Sequence, residues 1–517
     1  MATEKREVPV HPTGDPNAVP DEAGKPHAVD TFGGRVQVHW DPSAEVTAYG
    51  PVTYFIEFLK TSGLWERWVA DCPLNYTSRN APKKEEILAT ILLSVLAGHR
   101  RYAHITSIRS DSVLPRLLGV DCLRSEDAVR RAFQQGQEQD YTLWLDLHLN
   151  ATFEPLLEQQ WILDIDSTVK TLYGKQQEAR VGYNPTKPGR PSHCYHAYFI
   201  AELRMVLNVD VHAGNQTASA YAQPGLWSWL DAREKKQWPS LLRGDVSWGT
   251  EETMREAEQR GMAYLFKLRQ TGGVQKHLAR LMKRGNWQRA GGGWYGTESR
   301  LRLQGWTKAR RVIVLRRQVR EALAVTGIDE ETGQTILEGM ATVNKGRDLY
   351  EYAVLVTSWP EQDMLAIAQM YRDRADAENV FDELKNQWGW TGFTTQDLRR
   401  SQMMARIIAL VFNWWSLYTR LAIPGRHTEA LTSRPLLLQG IARKTTHSQR
   451  QRLTITSAHG KAGAVQRRLK QVSEYLQQFR QAAEQLTQRE RWGLLLRAIF
   501  REYYQPTNAS QTLPAPA

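Results

Sequence analysis

Cysteine is scarce in this chain of 517 residues, which contains only Cys72, Cys122 and Cys194. Three scattered thiols provide neither a disulfide framework nor a cysteine-based zinc site. Scarce cysteine is typical of proteins that work in a reducing compartment, so we expect a cytoplasmic protein. The length corresponds to two to four domains and leaves ample room for a large hydrophobic core.

Long apolar runs are also lacking. Ile87–Ala97 is too short to cross a bilayer, and the longer run Met403–Leu421 contains Arg406, Asn413 and Arg420. A membrane-spanning helix needs about 20 mostly apolar residues, so we interpret both runs as buried helices of a globular protein. The first 20 residues have no apolar stretch of the kind that forms a signal peptide. We therefore expect no membrane partner.

Acidic residues are rare in the C-terminal part of the chain. From position 401 onward there are 17 Lys and Arg but only 5 Glu and no Asp, whereas the first 400 residues hold 50 charges of each sign. The net charge of +12 therefore comes from the last quarter of the sequence. A basic region on a neutral body predicts a polyanionic partner, and double-stranded DNA is the leading candidate.

The pattern of apolar residues changes along the chain and predicts an α/β protein with added regions. Helical spacing dominates up to about residue 160, strand-like runs and a strand–helix–strand unit follow, and helices return after residue 361. The predicted regions are a mobile tail (1–30), a mainly helical DNA-binding region (31–158), an α/β catalytic region (159–425) with a β-rich insertion (270–355), and a basic helical C-terminal region (426–517).

Two short helices joined by a tight turn are predicted between residues 111 and 135. Ser125 is a suitable N-cap for the second helix, which also carries Arg130 and Arg131 and is preceded by Arg124. One interpretation is a helix-turn-helix that grips DNA. The alternative is a pair of packed helices with a solvated basic face.

Three acidic residues lie where an active site is expected. Asp166 is predicted at the end of the first buried strand, Asp245 follows another strand end, and Glu378 lies on a later predicted helix. Ligands of α/β sheets bind beyond the carboxyl ends of the strands. Three convergent carboxylates need cations, and a pair of Mg²⁺ ions is the usual device for phosphodiester chemistry. Asp164 is an alternative to Asp166, because residues two apart on a strand share a face.

The segment 366–389 is predicted to form one helix with a polar stripe. Tyr371, Arg374, Glu378 and Lys385 are spaced so that they fall on one face of an ideal helix. A carboxylate for metal, flanked by cations and a phenol for phosphates, suits a DNA-cleaving site. Asp382 lies on the same face and is an alternative metal ligand.

The spacing of these four residues resembles the signature of DDE transposases in the insertion-sequence 4-like group. Further stretches resemble the insertion-sequence 1380 family in particular, and the resemblance extends from about residue 45 to 425. These stretches are LDIDSTVKTLYGKQ, VGYNPTKPGRPSH, RGDVSW, GWTKARRVIVLRR, AENVFDELK and VFNWW. One departure is RGDVSW, where relatives usually have Gly-Phe directly after the Asp. Here Trp248, three residues after Asp245, would take the role of that Phe.

The resemblance implies an RNase H-like catalytic core with a β-rich insertion. It implies that Asp166, Asp245 and Glu378 are the catalytic metal ligands for Mg²⁺, with Mn²⁺ as a substitute. It further implies that Tyr371, Arg374 and Lys385 hold phosphates of the transposon end. The implied partners are the transposon ends, the target DNA and, in the synaptic complex, a second copy of the chain.

Two further DNA contacts are predicted outside the helix. Members of the wider group cut through a hairpin intermediate and stack a flipped base on an aromatic ring, for which Trp306 and Trp294 are candidates, with ordinary packing as the alternative. Arg190, in a Pro-Gly-Arg-Pro loop, is a candidate for contact with DNA, although the loop is equally a simple turn.

Two rival functions remain at this point. The first is an RNase H-like nuclease of repair or resolution, against which the signature and the insertion argue. The second is an inactive DNA-binding relic or regulator, against which the intact acidic triad argues.

Overall fold

The computed structural model describes residues 26–501, except 319–349, 457–459 and the single positions 42, 79, 186, 217, 285, 361, 426 and 449. Most of the predicted tail lies outside the described residues. Its last part does not, because β1 (His27–Thr31) pairs with β2 (Gly34–Val38) in a small antiparallel hairpin. The hairpin therefore spans the predicted boundary between the tail (1–30) and the helical region (31–158).

Helices dominate the region that follows, as predicted. The short strand β3 (Val46–Thr47) precedes α1 (Val52–Ser62), α2 (Leu64–Ala70), α3 (Lys84–Leu96), α4 (Thr106–Arg109), α5 (Leu114–Leu117), α6 (Glu126–Ala132) and α7 (Glu138–Phe153). α3 is apolar on nearly all sides and lies buried in the main core, which confirms its predicted role.

The cap of α6 is confirmed, because the Ser125 hydroxyl accepts a hydrogen bond from the backbone amide of Ala128 at 3.3 Å. Two of the three arginines at this helix are engaged within the protein, and Arg131 is exposed. The Arg124 guanidinium donates to the Glu86 carboxylate at 2.7 Å, and Arg130 lies over the Tyr102 ring at 4.9 Å. The structure thus favours the interpretation of packed helices.

A ten-stranded mixed sheet forms the centre of the protein. Its first strands and helices are β4 (Ile162–Thr171), β5 (Arg180–Val181), β6 (Pro191–Ile200), β7 (Met205–Ala213), α8 (Gln223–Asp231), β8 (Leu241–Gly244), α9 (Glu251–Gln259) and β9 (Tyr264–Lys267). β4 pairs antiparallel with β6 and parallel with β8, and β8 pairs parallel with β9. The run of β8, α9 and β9 agrees with the predicted strand–helix–strand unit.

The segment predicted as a β-rich insertion continues this same sheet. After α10 (Gly272–Arg284) come β10 (Gln288–Arg289), β11 (Trp294–Leu301), β12 (Arg310–Gln318) and β13 (Tyr350–Thr357). β13 pairs antiparallel with β9, and β12, β11 and β10 follow outward in that order. Residues 319–349 of the segment lie outside the described part of the chain.

The prediction of one long helix over 366–389 is wrong, because the chain forms two helices there. α11 (Met364–Arg372) and α12 (Ala375–Asn386) are separated by a tight turn at Asp373 and Arg374. In this turn the amides of Arg374 and Ala377 bond to carbonyls three residues back, at 3.2 and 2.9 Å. Such bonds tighten the backbone relative to an α-helix, so the 100° periodicity does not continue across the turn.

The C-terminal part packs against the helical region. It comprises α13 (Leu398–Ala422), α14 (Ala430–Leu437), β14 (Ala442–His447), β15 (Arg450–Ile455), α15 (Ala462–Ala482) and α16 (Gln488–Ile499). α13 is buried along almost its whole length, as its apolar sequence predicts. The prediction of a purely helical C-terminal region is wrong, because β14 and β15 form a hairpin whose base pairs with β3. No helix among the described residues has the length and hydropathy to cross a membrane.

Acid should weaken the fold through a buried histidine after α3. The His99 ring is hydrogen-bonded to the hydroxyls of Ser94 and Ser107 at 2.9 and 3.0 Å, and burial lowers its pKa to about 4. In the unfolded chain the His99 ring takes up a proton near pH 6.5. Between pH 6.5 and pH 4 the unfolded state therefore holds more protons than the folded state, so the free energy of unfolding decreases as the pH is lowered. We expect His99 to lower the free energy of unfolding by about 2 kcal/mol between pH 7 and pH 5.

Urea denaturation at pH 7, 6 and 5 measures this effect. The variant His99→Gln keeps a hydrogen-bonding side chain but cannot take up the proton. Its loss of stability on acidification should be smaller than that of the wild type, and equal losses would show that another group is responsible.

Candidate active site

Asp166 lies at the centre of the sheet, where two parallel strands part. β4 and β8 are paired as far as Ile165 and Gly244, and beyond that point β4 continues past Asp166 paired with β6. Asp166 is thus a mid-strand residue and not the end of its strand, as the sequence suggested. The strand that ends beside Asp166 is β8, so the Asp166 carboxylate faces the gap beyond the end of β8.

Asp245 is the first residue after β8 and therefore borders the same gap. Its carboxylate accepts hydrogen bonds from the Ser247 amide at 2.9 Å and the Ser247 hydroxyl at 3.1 Å, which fixes the turn. Trp248 is fully buried behind this turn, with its side chain against Gly244. Burial raises the pKa of Asp166, and the neighbouring Asp245 charge raises it further.

Arg374 joins Asp166 to Glu378. One guanidinium nitrogen donates to the Asp166 carboxylate at 2.6 Å, and another donates to the Glu378 carboxylate at 2.8 Å. The turn between α11 and α12 places Arg374 at this junction, with its guanidinium 5.7 Å from the centre of the Tyr371 ring. Although the predicted helix is interrupted here, Tyr371, Arg374 and Glu378 still lie next to one another.

Lys385, the fourth signature residue, contacts β4 beyond Asp166. The Lys385 ammonium donates to the Thr168 hydroxyl at 3.1 Å, two residues beyond Asp166 on the same face of the strand. Asp382, the alternative ligand, is exposed and accepts a hydrogen bond from the Asn386 amide at 2.6 Å. No contact of the structure links Asp382 to the other carboxylates.

The other alternative, Asp164, forms a buried ion pair below the site. Both of its carboxylate oxygens accept hydrogen bonds from Arg243, at 2.5 and 2.7 Å, and both side chains are only 1% exposed. Arg243 also donates to the backbone carbonyl of Met370 on α11. The pair thus ties β4, β8 and α11 together beneath Asp166, and it is saturated by these contacts.

The three carboxylates differ in their exposure to solvent. The Asp166 side chain is 11% exposed and the Glu378 side chain 64%. Burial raises the pKa of Asp166 to about 7, and Asp245 adds to the rise while Arg374 opposes it. Burial also raises the pKa of the Tyr371 phenol to about 12, so it remains a neutral hydrogen-bond donor at physiological pH.

The oxygen donors fit a hard divalent cation, since Mg²⁺ and Ca²⁺ prefer carboxylate oxygens. The present arrangement is not yet a closed coordination site. Among the described residues, no group of three or more His, Cys, Asp or Glu side chains has metal-binding geometry. The Arg374 guanidinium occupies the position between Asp166 and Glu378, where it supplies the positive charge that these carboxylates need.

A cleft of about 270 Å³ opens beside Glu378. Its walls include Trp294, Tyr371 and Arg374. Trp294 is partly exposed, with the Arg317 guanidinium 5.0 Å from its ring centre. Sequence reasoning gave this tryptophan no more weight than Trp306, because nothing in the local sequence shows that β11 borders the site.

Trp306 and Arg190, the other predicted DNA contacts, do not line this cleft. Trp306 is only 8% exposed and has the Arg310 guanidinium 5.2 Å from its ring centre, so its ring offers little free surface for stacking on a base. Arg190 lies on an exposed loop, 5.6 Å from the ring centre of Tyr173. No contact of the structure joins Arg190 to the carboxylates.

Comparison with known proteins bears directly on this site. The family model of the transposase DDE domain, group 1, matches residues 45–481. The chain belongs to this family. It is therefore a DNA transposase, an enzyme of the DDE type, and the sequence prediction of that class is confirmed.

Two other comparisons add little. No curated protein matches the transposase. A solved structure of the piggyBac transposase synaptic complex with hairpin DNA is similar to it with a TM-score of 0.38 and 11% sequence identity, over 90% of this chain and 87% of that one.

Proposed function

We propose that this transposase cleaves the ends of a DNA element and joins them to target DNA at the site formed by Asp166, Asp245 and Glu378. The observation that carries the proposal is the junction itself. Two carboxylates flank the gap where parallel strands part, and Arg374 bridges one of them to Glu378. The family shows the class of enzyme, and this junction is the place in the fold where carboxylates suited to its chemistry meet.

Divalent cations are the cofactors in this proposal, with Mg²⁺ as the first choice and Mn²⁺ as a substitute. Bound there, they activate the attacking oxygen and stabilise the leaving oxygen of a phosphodiester. Asp166 and Asp245 would hold them from the sheet and Glu378 from α12. For this the Arg374 guanidinium leaves the space between the carboxylates, a short movement for a long side chain on a turn.

The cations of the protein have a second role, which is to hold the DNA backbone. A guanidinium released from Asp166 and Glu378 can bind two phosphate oxygens at once. Lys385 and the Tyr371 hydroxyl lie on either side of Arg374 along the chain and can donate to neighbouring phosphates. Trp294, at the cleft, is the better placed tryptophan for stacking on a base.

The order of the strands supports an RNase H-like core. Three antiparallel strands (β7, β6 and β4) are followed by two parallel ones (β8 and β9), and the acidic residues lie on β4 and directly after β8. We place the catalytic domain at 159–425, between the helical region 31–158 and the basic region 426–517. The six motif stretches support membership of the insertion-sequence 1380 family within the insertion-sequence 4-like group.

The partners proposed are duplex DNA and a second copy of the chain. The terminal repeats of the element and the target both carry the phosphates that the basic surfaces would bind. Two ends must be held together before joining, and a dimer supplies one active site for each end. Since chromosomal DNA is the substrate, we propose that the protein acts at the nucleoid in the cytoplasm.

A cleavage assay tests the assignment of the third carboxylate. The substrate is a labelled duplex that carries the sequences flanking the gene, incubated with Mg²⁺ and the wild type or the variant Glu378→Gln. We expect cleavage at the repeat boundary by the wild type and a rate about 100-fold lower for the variant, because one charge that stabilises the transition state is lost.

The matched control is Asp382→Asn, which removes a carboxylate one helical turn away on the same helix. Its cleavage rate should stay within about twofold of the wild type, since its side chain is exposed and its hydrogen bond goes to Asn386 on the same helix. The reverse result, with a slow Asp382 variant and a fast Glu378 variant, would assign the third ligand to Asp382.

A further inference from the structure

The hairpin β14–β15 carries a continuous cationic face. Cross-strand pairing places Arg443, Arg450 and Arg452 on one side of the hairpin, together with Thr445 and His447. All of these side chains are exposed. We call this set the ribbon face.

The ribbon face has little counter-charge, since Asp41 interacts electrostatically with Arg443 without forming an ion pair. Its three arginines form no ion pair with any carboxylate that the structure describes. The surrounding sequence explains why, because residues 430–473 contain nine Lys and Arg but no Asp or Glu. Elsewhere in the fold arginines are commonly paired, as in Arg243 with Asp164, so an unneutralised cluster on one surface is a feature to be explained.

The opposite side of the hairpin holds the ribbon face toward solvent. There, Ala442 and Lys444 are buried, and Lys444 forms an ion pair with Glu45 at 3.3 Å. The base of the hairpin pairs with β3 only through Ala442 and Arg443. The outer part, toward the turn at Ser448, therefore projects past β3 with its orientation fixed by the anchored base.

The shape and charge of this element fit duplex DNA. The major groove of B-DNA admits a two-stranded ribbon, and strands of this length extend about 20 Å along it. Arginine is suited to phosphate because its guanidinium can bind two oxygens. We propose that the ribbon face binds the duplex of the element's end, away from the cleavage site, and contributes phosphate contacts that position it. This inference rests on the proposed function for the identity of the DNA.

Salt-dependent binding tests the inference. The full chain is titrated into a fluorescein-labelled duplex of the gene's flanking sequence, in EDTA, at several salt concentrations. The triple variant Arg443→Gln/Arg450→Gln/Arg452→Gln should bind at least about tenfold more weakly than the wild type near 0.1 M salt. Its plot of log affinity against log salt should be less steep by about 2–3 units, since each phosphate contact contributes about 0.9.

Two further variants make the result specific to the ribbon face. Arg255→Gln/Lys276→Gln/Arg497→Gln removes the same charge from exposed positions on three different helices and should keep the slope of the wild type. Arg443→Lys/Arg450→Lys/Arg452→Lys keeps the charge and should bind within about threefold of the wild type. Circular dichroism checks that all variants are folded.

The inference is overturned if the Gln triple variant keeps the affinity and slope of the wild type, or if the control triple variant loses as much. It is also overturned if the Lys variant binds as weakly as the Gln variant, because charge is then not the cause. Failure of the proposed active site looks different. In that case Glu378→Gln cleaves as the wild type does, whatever the binding results are.

Discussion

Asp166→Asn lowers the rate of end cleavage by about 1,000-fold, a larger effect than that expected for Glu378. Asp166 is the most enclosed of the three carboxylates, and the rigid strand β4 fixes its position between Asp245 and Arg374. Neither solvent nor a neighbouring side chain can replace its charge there. The amide has the same shape but is a poor ligand for a hard divalent cation. Single-turnover cleavage of the labelled duplex in Mg²⁺ measures the loss.

Binding of the same duplex without metal separates catalysis from folding. The Asn variant should bind at least as tightly as the wild type, because it removes a negative charge beside the phosphate-binding cations. A cleavage rate within about tenfold of the wild type would contradict the assignment of Asp166. Asp164 would then need to be examined despite its ion pair.

Arg243→Met lowers the free energy of unfolding by about 3–5 kcal/mol, the expected cost of leaving a buried charge without its partner. Arg243 and Asp164 are both almost fully enclosed, so the remaining Asp164 carboxylate cannot recover its hydration. The variant also removes the bond to the Met370 carbonyl, which holds α11 against the sheet. Urea denaturation followed by tryptophan fluorescence measures the loss.

The double variant Arg243→Met/Asp164→Leu provides the decisive comparison. With both charges gone no buried ion remains, so most of the lost stability should return. Arg255→Met, on the exposed side of α9, is the matched single control and should change stability by less than about 0.5 kcal/mol. A double variant as unstable as the single one would show that packing, and not charge, explains the effect.

The sequence predicted the class of fold because its strongest signals are local. The apolar runs that become β4 and α13 have few alternatives other than burial, and an acid next to such a strand indicates a site. The choice between Asp164 and Asp166 could not be made in the same way. Both residues share one face of β4, and only the position of Arg243 on the neighbouring strand shows that Asp164 is held in a fully buried ion pair.

The turn at Arg374 and the hairpin β14–β15 could not be predicted from the local sequence pattern. The turn at Arg374 interrupts a sequence that is helical by every local measure. Its contact with Glu378 is local, but its contact with Asp166 joins residues that are 208 positions apart in the chain. The hairpin β14–β15 is rich in polar and charged residues, so it lacks the apolar alternation by which strands are recognised. Its stability comes from pairing with β3, almost 400 residues earlier.

The way in which β13 joins β9 limits how this protein can be shortened. A domain attached by two linkers can be deleted or exchanged with little effect on its host, but the segment 270–355 shares one hydrogen-bonded sheet with the catalytic strands. Cutting it out would leave β9 as an open edge, with unpaired amides and carbonyls that invite aggregation. This region therefore cannot be exchanged as a separate module, and a shortened enzyme must keep at least β13 so that β9 stays paired on both sides.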